Sequence, residues 1–250
     1  MMTANQDQHP VRVGSLEVSA FRYSKDPRAV AAFLEVLGLS PRVSNEEGSW
    51  LELQAAAGSV SLHAIGAAGN PDAESGKTDL VLIVRDVPAF AAGLADQEGV
   101  EVSVWDEAFG HQAVVNVGER KIIINEIQPD PYGYQLYDPT PGPVTVVTHC
   151  STADFDGAQE LFAALGFRAA SQTAGGHPVR LESTDVAGVI VLHRGDAGAD
   201  RYAVGFEIAE DLTAVVGRLR DAGYRPRSAS GGQQVEVTDP DGQSVTITAR

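Results

Sequence analysis

The chain has 250 residues, of which 43% are hydrophobic and 21% charged, a composition typical of a folded globular protein. Its 18 Lys and Arg residues are outnumbered by 34 Asp and Glu residues, which gives a net charge of -16. So acidic a surface repels nucleic-acid backbones and anionic lipid headgroups, so we expect neither as a partner. No apolar run approaches the ~20 residues needed to cross a bilayer, and the polar N-terminus lacks a signal-peptide pattern, so we predict a cytoplasmic protein.

The first predicted unit follows a flexible tail at residues 1–13. Alternating apolar and polar residues predict a strand at 16–23. Asp26 followed by Pro27 is a typical helix start, and Gly38 is a typical helix end. Two further strands, at 50–54 and 60–65, complete the unit.

The same order of elements recurs three more times along the chain. In each unit the capping Asp lies 12 or 13 positions before the Gly that ends the helix. The four pairs are Asp26 and Gly38, Asp86 and Gly99, Asp154 and Gly166, and Asp211 and Gly223. Agreement across four helices indicates internal repetition. The segment 129–143, which is rich in Pro and Tyr, is predicted to link two domains at 14–128 and 144–249.

The chain closes with its sharpest local pattern, the segment VEVTDPDGQSVTIT at 235–248. Asp239-Pro240-Asp241-Gly242 is a turn sequence, because Pro fixes φ and Gly adopts positive φ without strain. The flanking runs have the composition of strands. The segment is therefore predicted to be a β-hairpin that ends the fourth unit.

The four units, the helix ends VLGL at 36–39 and ALGF at 164–167, and the closing hairpin together resemble the vicinal-oxygen-chelate superfamily of glyoxalases, bleomycin-resistance proteins and dioxygenases. The resemblance covers residues 14–249. It implies an α+β fold of two tandem domains, in which four βαβββ modules form curved sheets around concave clefts. It also implies a divalent metal in many relatives, held by a His or Gln on the first strand of a module and a Glu on the last.

This sequence departs from that metal-binding pattern. The first-strand ligand positions, seven residues before each capping Asp, hold Ser19, Asp79, Val147 and Val204. Thr246 occupies the position of the Glu in the closing hairpin. Because a divalent ion needs several convergent donors, we predict no metal and no other cofactor. The alternative is a divalent ion in the first half, held by His63, Asp79 and Glu126.

Without a metal, the clefts are expected to bind a small molecule through apolar and aromatic walls with a few polar groups. Successive residues of a strand point to opposite faces, so Phe21 shares a face with Ser19 and Tyr23, and His149 with Val147. Candidates for the first cleft are Ser19, Phe21, Tyr23, Trp50, His63, Asp79, Trp105, Phe109 and His111. Candidates for the second cleft are Val147, His149, Arg180, His193, Tyr202, Phe206 and Thr246. For each, a structural role in the core or at the surface is the alternative.

His149 is the predicted catalytic residue if the protein is an enzyme. An imidazole in a cleft can transfer protons near neutral pH, and His149 lies two residues from Val147 on the same strand face. The neighbouring Cys150 is interpreted as a buried apolar residue, since free Cys is commonly buried.

Two functions stay open at this point. The first is binding or sequestration of a hydrophobic or aromatic metabolite at a degenerate metal site, as the bleomycin-resistance relatives imply. The second is a lyase, isomerase or cyclase of glyoxalase type, acting through His63 and Asp79 with a metal or through His149 without one. An extradiol dioxygenase is disfavoured, because the His, His and Glu ligands of its second domain are missing. With four modules in one chain, we expect a monomer or a homodimer.

Overall fold

The computed structural model describes residues 16–67, 73–107, 110–127, 133–172, 178–183, 185–196 and 198–250. The predicted tail at 1–13 and the candidate residue Phe109 lie outside these ranges. The helices are α1 (Pro27–Leu37), α2 (Val87–Leu94), α3 (Phe155–Ala164) and α4 (Leu212–Asp221). Within the described ranges, none of the helices combines the length and the apolar character that crossing a membrane would require.

The strands divide evenly between the two halves of the chain. The first half contains β1 (Leu16–Ser24), β2 (Ser40–Asn45), β3 (Trp50–Gln54), β4 (Ser59–Ala64), β5 (Thr78–Val84), β6 (Val100–Glu107), β7 (Gly110–Val117), β8 (Arg120–Glu126) and β9 (Tyr134–Leu136). The second half contains β10 (Val144–Thr152), β11 (Arg168–Gln172), β12 (Val179–Glu182), β13 (Val186–Ala187), β14 (Val189–Arg194), β15 (Arg201–Ile208), β16 (Arg227–Ala229), β17 (Gln234–Thr238) and β18 (Ser244–Ala249).

Each half is a curved sheet in which two modules meet along their first strands. β1 pairs antiparallel with β5, and β10 pairs antiparallel with β15. Within each module the first strand is parallel to the last, as in β1 with β4 and β10 with β14. The middle strands then follow antiparallel, as in β4, β3 and β2. This is the α+β arrangement of four βαβββ modules that the sequence predicts.

Local signals account for the helix boundaries. Each of the four predicted capping Asp side chains accepts a hydrogen bond from a backbone N–H two or three residues later. Gly38 follows α1 with a left-handed φ of 105°, which a residue with a Cβ adopts only at a cost. α2 is shorter than predicted: it ends at Leu94, and turns occupy the residues from there to Gly99.

Five of the strands, β2, β9, β11, β13 and β16, have no clear counterpart in the sequence pattern, and β13 and β16 are only two and three residues long. β2 contains Pro41, and its register against β3 shifts between Pro41 and Val43. β11 has a similar irregularity between Ala169 and Ser171. β9 lies inside the segment predicted to be a linker, where it pairs with β2 as an edge strand. Bulges and short edge strands disturb the two-residue alternation on which strand prediction depends.

The two halves share both hydrophobic cores. One core joins α1 and α4, with Phe33, Leu37 and Leu219 among its buried residues. The other contains residues of α2 and α3, including Leu94 and Phe162. Each core contains helices from both halves, so the sheets turn their helix-covered faces towards each other. Their concave faces are left to form the two clefts.

Glycine allows the halves to approach closely where their first strands begin. β13 pairs with the start of β1, and Ala57 forms a matching bridge with Thr145 at the start of β10. Between these contacts the Cα of Gly188 lies 3.4 Å from where a Cβ on Gly58 would be, and both glycines have positive φ. Any larger side chain at Gly58 would meet the Val18 carbonyl oxygen at 2.9 Å.

The closing hairpin joins the fourth module to the first. Gly242 donates its backbone N–H to the Asp239 carbonyl at 3.0 Å, which closes the predicted turn. The Asp239 carboxylate also accepts a hydrogen bond from the Arg22 guanidinium at 2.6 Å, and both side chains are almost completely buried. Asp241 accepts hydrogen bonds from Ser24 and Ser75 at 3.0 and 2.6 Å. The turn is thus an ionic contact between the halves as well as a reversal of the chain.

Candidate functional site

The alternation of β1 and β4 decides which side chains enter the first cleft, the concave face of the first half. Val18 and Ala20 of β1 are in the hydrophobic cores, so Ser19, Phe21 and Tyr23 face the cleft. In β4, Leu62 is fully buried in a core, whereas the half-buried His63 contacts the rings of the cleft. The sequence does not determine whether Leu62 or His63 faces the cleft. The register of β4 against β1 pairs His63 with Tyr23, so His63 faces the cleft.

Four rings meet at one end of the first cleft, and we call them the ring cluster: Phe21, Tyr23, Trp50 and His63. The Phe21 ring centroid lies 5.1 Å from that of Tyr23 and 5.6 Å from that of Trp50. The Trp50 and His63 centroids are 5.4 Å apart in an edge-to-face arrangement. These are favourable aromatic geometries. Phe21, Trp50 and His63 are only half-buried, so parts of their rings are available to a ligand.

Polar groups lie beneath the ring cluster. The hydroxyl groups of Ser19 and Ser61 are 3.0 Å apart, and Ser61 donates a hydrogen bond to Glu52 at 3.2 Å. Glu52 in turn pairs with Arg42. The cleft therefore combines an aromatic wall with a hydrogen-bonded base, which suits a planar molecule that carries a few polar atoms.

Arg42 gathers two carboxylates and an amide into an Arg42 cluster with Glu17, Glu52 and Gln54. Its Nη1 donates to Glu17 at 2.9 Å and to Gln54 at 2.8 Å. Burial alone would lower the pKa of the Arg42 guanidinium, but attraction to Glu52 and Glu17 outweighs burial and raises it. Glu17 Oε1 and Arg42 Nη2 are buried without a hydrogen-bond partner in the described part of the chain. Buried polar atoms of this kind are uncommon in native proteins.

Sequence reasoning did not identify the Arg42 cluster. Its signal is present in β1 and β3, where Glu17 and Glu52 are each flanked by apolar residues. In a strand with one face in the core, a charged residue at such a position points to the opposite face. Nothing in the local pattern, however, indicates that Arg42 of the irregular strand β2 meets both carboxylates.

The remaining candidates of the first half lie at two different places. Trp105 lies at the rim of the concave face, where its strand pairs with Gln112 and about a third of its surface is exposed. His111 and Glu126 lie on the opposite face, where Glu126 accepts hydrogen bonds from the His111 ring at 2.7 Å and from Val87 N–H at 3.1 Å. The hydrogen bond to Glu126 raises the pKa of His111. His111 is therefore not a residue of the cleft, and Glu126 cannot join His63 and Asp79.

The second cleft, on the concave face of the second half, is centred on two imidazoles. His149 Nδ1 and His193 Nε2 are 3.0 Å apart, which is a hydrogen-bond distance. A Cβ at Gly205 would lie 3.0 Å from His149 Nε2, so the glycine leaves room for the ring. Burial, with a smaller contribution from His193, lowers the pKa of His149 to about 4. His149 is therefore neutral at pH 7.

Arg180 of the second cleft is held by two carboxylates. Its guanidinium donates to both oxygens of Glu207, with Nη2 to Oε2 at 2.8 Å, and its Nε donates to Glu182. Hydrogen bonding to Glu207 raises the pKa of Arg180. Thr246 lies beside Gly205 in the paired strands β18 and β15. Val147 faces the same side as His149 and is almost fully buried.

Two candidates of the second cleft lie in the core instead. Phe206 is among the largest fully buried side chains, and Tyr202 packs against the core that contains α2 and α3. Their strand β15 turns Ala203, Gly205 and Glu207 towards the cleft, so a one-residue difference in register separates prediction from structure. Cys150 is also completely buried, and burial raises the pKa of its thiol to about 12. Its structure matches the apolar interpretation.

The residues present do not fit the metal site that the fold implies. In the second cleft the predicted ligand positions Val147 and Thr246 supply neither a carboxylate nor an imidazole. The third, Val204, lies in a hydrophobic core instead, because β15 turns Ala203 and Gly205 towards the cleft, and neither of these can bind an ion. In the first cleft Asp79 lies 3.6 Å from Lys77, and Phe21 lies between the strands of Asp79 and His63. Among the residues that the structure describes, no group of three or more His, Cys, Asp or Glu is placed to hold an ion. The absence of a metal stays a prediction.

Two larger surface cavities lie where helices of the two halves meet. One of about 660 Å³ is lined by Phe90, Leu165 and Val186 among others. The other, of about 630 Å³, lies between α1 and α4 and includes Leu37 and Arg218. Neither cavity contains the ring cluster or the paired imidazoles. Because these groups are the ones that can contact or act on a ligand, the candidate site lies in the clefts.

Comparison with known proteins finds likeness in structure only. The sequence matches no protein-family model and no curated protein at a significant level. A catechol 2,3-dioxygenase superimposes with a TM-score of 0.61 over 96% of this chain and 93% of that chain, at 14% identity. The 2,3-dioxygenase LapB from Pseudomonas sp. KL28 gives 0.59 over 96% and 94%, at 11% identity. A homoprotocatechuate 2,3-dioxygenase variant from B. fuscum gives 0.57 over 96% and 74%, at 16% identity. At these identities the likeness establishes the fold, which is the one that the sequence predicts, and not the reaction.

Proposed function

We propose that this protein, which has the two-domain vicinal-oxygen-chelate fold, binds a planar aromatic or hydrophobic small molecule in its first cleft. The observation that carries the proposal is the ring cluster of Phe21, Tyr23, Trp50 and His63 above the hydrogen-bonded Ser19, Ser61 and Glu52. Half-buried rings on a concave surface gain contact area and stacking energy when a flat ligand covers them. Binding without conversion is the simplest function for this arrangement, since it needs no catalytic group.

The chain supplies its own probe for this site. It contains two tryptophans, Trp50 and Trp105, and both are on the concave face of the first half. A screen of planar aromatic compounds by tryptophan fluorescence should therefore report on the first cleft alone. We expect saturable quenching with one ligand per chain, and Trp105→Phe should preserve it because Trp50 lies within the ring cluster.

Equivalent positions of the two clefts provide a matched pair of variants. Phe21 and His149 occupy the same place in their halves, opposite Asp79 and Ala203. Phe21→Ala should weaken binding by about tenfold or more, since one aromatic contact is removed from the centre of the site. His149→Ala should leave the affinity within about twofold. The proposal is wrong if His149→Ala abolishes binding while Phe21→Ala leaves it unchanged.

A second candidate function is proton transfer in the second cleft. The observation that favours it is the 3.0 Å contact between two imidazoles, of which His149 is kept neutral by burial. A neutral imidazole can act as a general base in an isomerisation or elimination, and its partner can pass the proton on. Mass spectrometry of compounds incubated with substoichiometric protein separates the two functions. A binding protein returns them unchanged, whereas an enzyme converts them and loses turnover in His149→Ala.

A further inference from the structure

We propose that the first cleft selects planar aromatic ligands that carry a positive charge, and that the Lys77 ammonium lies where the charge of such a ligand binds. This inference rests on the proposed function and names the chemical class of its ligand. Three observations support it: a lysine lies on an aromatic ring of the first cleft, carboxylates are in excess there, and the second cleft has neither feature at the equivalent positions.

Lys77 already makes the contacts that a cationic ligand would make. Its Nζ lies 5.6 Å from the centroid of the Tyr23 ring and 3.6 Å from the Asp79 carboxylate. The first contact has the geometry of a cation–π interaction, and the second is an ion pair. Since the Lys77 side chain is 42% exposed and flexible, a ligand can displace its ammonium at a small cost in energy. The ring and the carboxylate would then be available together.

The cleft carries more negative than positive charge. Glu17, Glu52 and Asp79 face it with Arg42 and Lys77. Glu101, Glu107 and Lys121 lie further out on the same face, so carboxylates outnumber cationic groups there. Glu17 is about nine-tenths buried on this face, and its Oε1 has no hydrogen-bond partner in the described ranges. The net charge of -16 also attracts cations towards the protein.

The second cleft lacks this arrangement although its backbone is equivalent. By strand register, Ser151 takes the place of Tyr23, Arg201 that of Lys77, and Ala203 that of Asp79. It therefore has neither a ring nor a carboxylate at these positions. Selection for a cation should be a property of the first cleft only.

Two nearly isosteric probes separate charge from shape. N-methylacridinium is a permanent cation, and acridine at pH 8 is its neutral counterpart. Isothermal titration calorimetry should show the cation binding about three- to tenfold more tightly, the range of a partly exposed cation–π or ion-pair contact. Asp79→Asn should reduce the affinity for the cation by a similar factor. Lys77→Met, which removes the competing ammonium, should increase it.

The neutral probe is the internal control, because its affinity should change less than about twofold in both variants. Ala203→Asp, at the equivalent position of the second cleft, should not create a comparable preference. Equal affinities of the two probes, or weaker cation binding in Lys77→Met, would overturn this inference and leave the proposed function standing. If neither probe nor any other planar aromatic compound binds, the proposed function fails as well.

Discussion

The two clefts have equivalent strand pairing but different side chains on their concave faces. At equivalent positions, Phe21 of the first cleft is replaced by His149 in the second, and Glu52 by Arg180. His63 and His193 also correspond, yet His63 packs among rings while His193 contacts an imidazole. Internal repetition has thus preserved the strand pairing while the concave faces diverged. The first cleft therefore presents mainly aromatic rings, and the second presents imidazole, guanidinium and carboxylate groups.

Both clefts depend on the junction where the first strands of the two halves begin, and a substitution there should have the largest effect on stability. Gly58→Ala forces a Cβ into a left-handed position, φ 85°, and against Val146 and the Val18 carbonyl at 2.9 Å. Backbone strain and overpacking together should cost roughly 4 kcal/mol in the free energy of unfolding. Urea denaturation followed by circular dichroism would measure the loss.

Gly99→Ala is the matched control for that variant. Gly99 also has a positive φ, 78°, but no atom lies within 4 Å of the added Cβ. It should lose only about 1–2 kcal/mol, the strain alone. If the two variants are equally stable, close contact between the halves does not contribute to stability.

The next largest effect is expected at the ionic contact of the closing hairpin. Arg22→Met would leave the Asp239 carboxylate buried without its partner, and the two side chains are only 3% and 2% exposed. Loss of one partner of a buried pair should reduce the free energy of unfolding by about 3 kcal/mol. Adding Asp239→Asn, which keeps the turn hydrogen bonds and removes the charge, should restore part of this loss. A double variant less stable than Arg22→Met would contradict the explanation.

The smallest effect concerns the imidazole that distinguishes the second cleft. The pKa of His149 is about 4 in the folded chain, against ~6.5 for an ordinary histidine in the unfolded chain. Because the unfolded state binds the proton more readily, this residue contributes stability that is fully present above pH 6.5 and is lost as the pH falls towards 4.

His149→Phe, which imitates Phe21, isolates this contribution. The stability of the variant relative to the original protein should rise by about 1–2 kcal/mol between pH 7 and pH 5. Urea denaturation at both pH values checks the difference, in which the titration of the carboxylates cancels. A difference that stays constant with pH would mean that His149 is as easily protonated in the fold as in solution.

Much of the fold could be predicted because its signals are local. The capping Asp residues, the glycine after α1 and the DPDG turn each depend on a few neighbouring residues, and all of them lie where predicted. The exceptions have a local cause as well. β2 and β11 contain irregular registers, and β9 is a short edge strand, so none of them has a regular alternation of apolar and polar residues.

The candidate site was predictable only in part. Alternation along β1 and β10 correctly grouped Phe21 with Ser19 and Tyr23, and His149 with Val147, since side-chain direction has a fixed period in a strand. Tyr202 and Phe206, which are also candidates for the cleft, lie in the core because β15 turns Ala203, Gly205 and Glu207 to the concave face. His111 lies on the opposite face of its sheet, where it contacts Glu126.

The order of the modules, the ends of the helices, the acidic charge and the residue types that fail to match a metal site follow from the sequence without a structure. Which of these residues meet depends on the tertiary fold. Arg42 of β2 contacts Glu17 of β1 and Glu52 of β3. Lys77, just before β5, contacts Tyr23 of the neighbouring strand β1. Their contacts depend on pairing register and sheet curvature, and these are set by the packing of both halves around shared cores, which no local pattern contains.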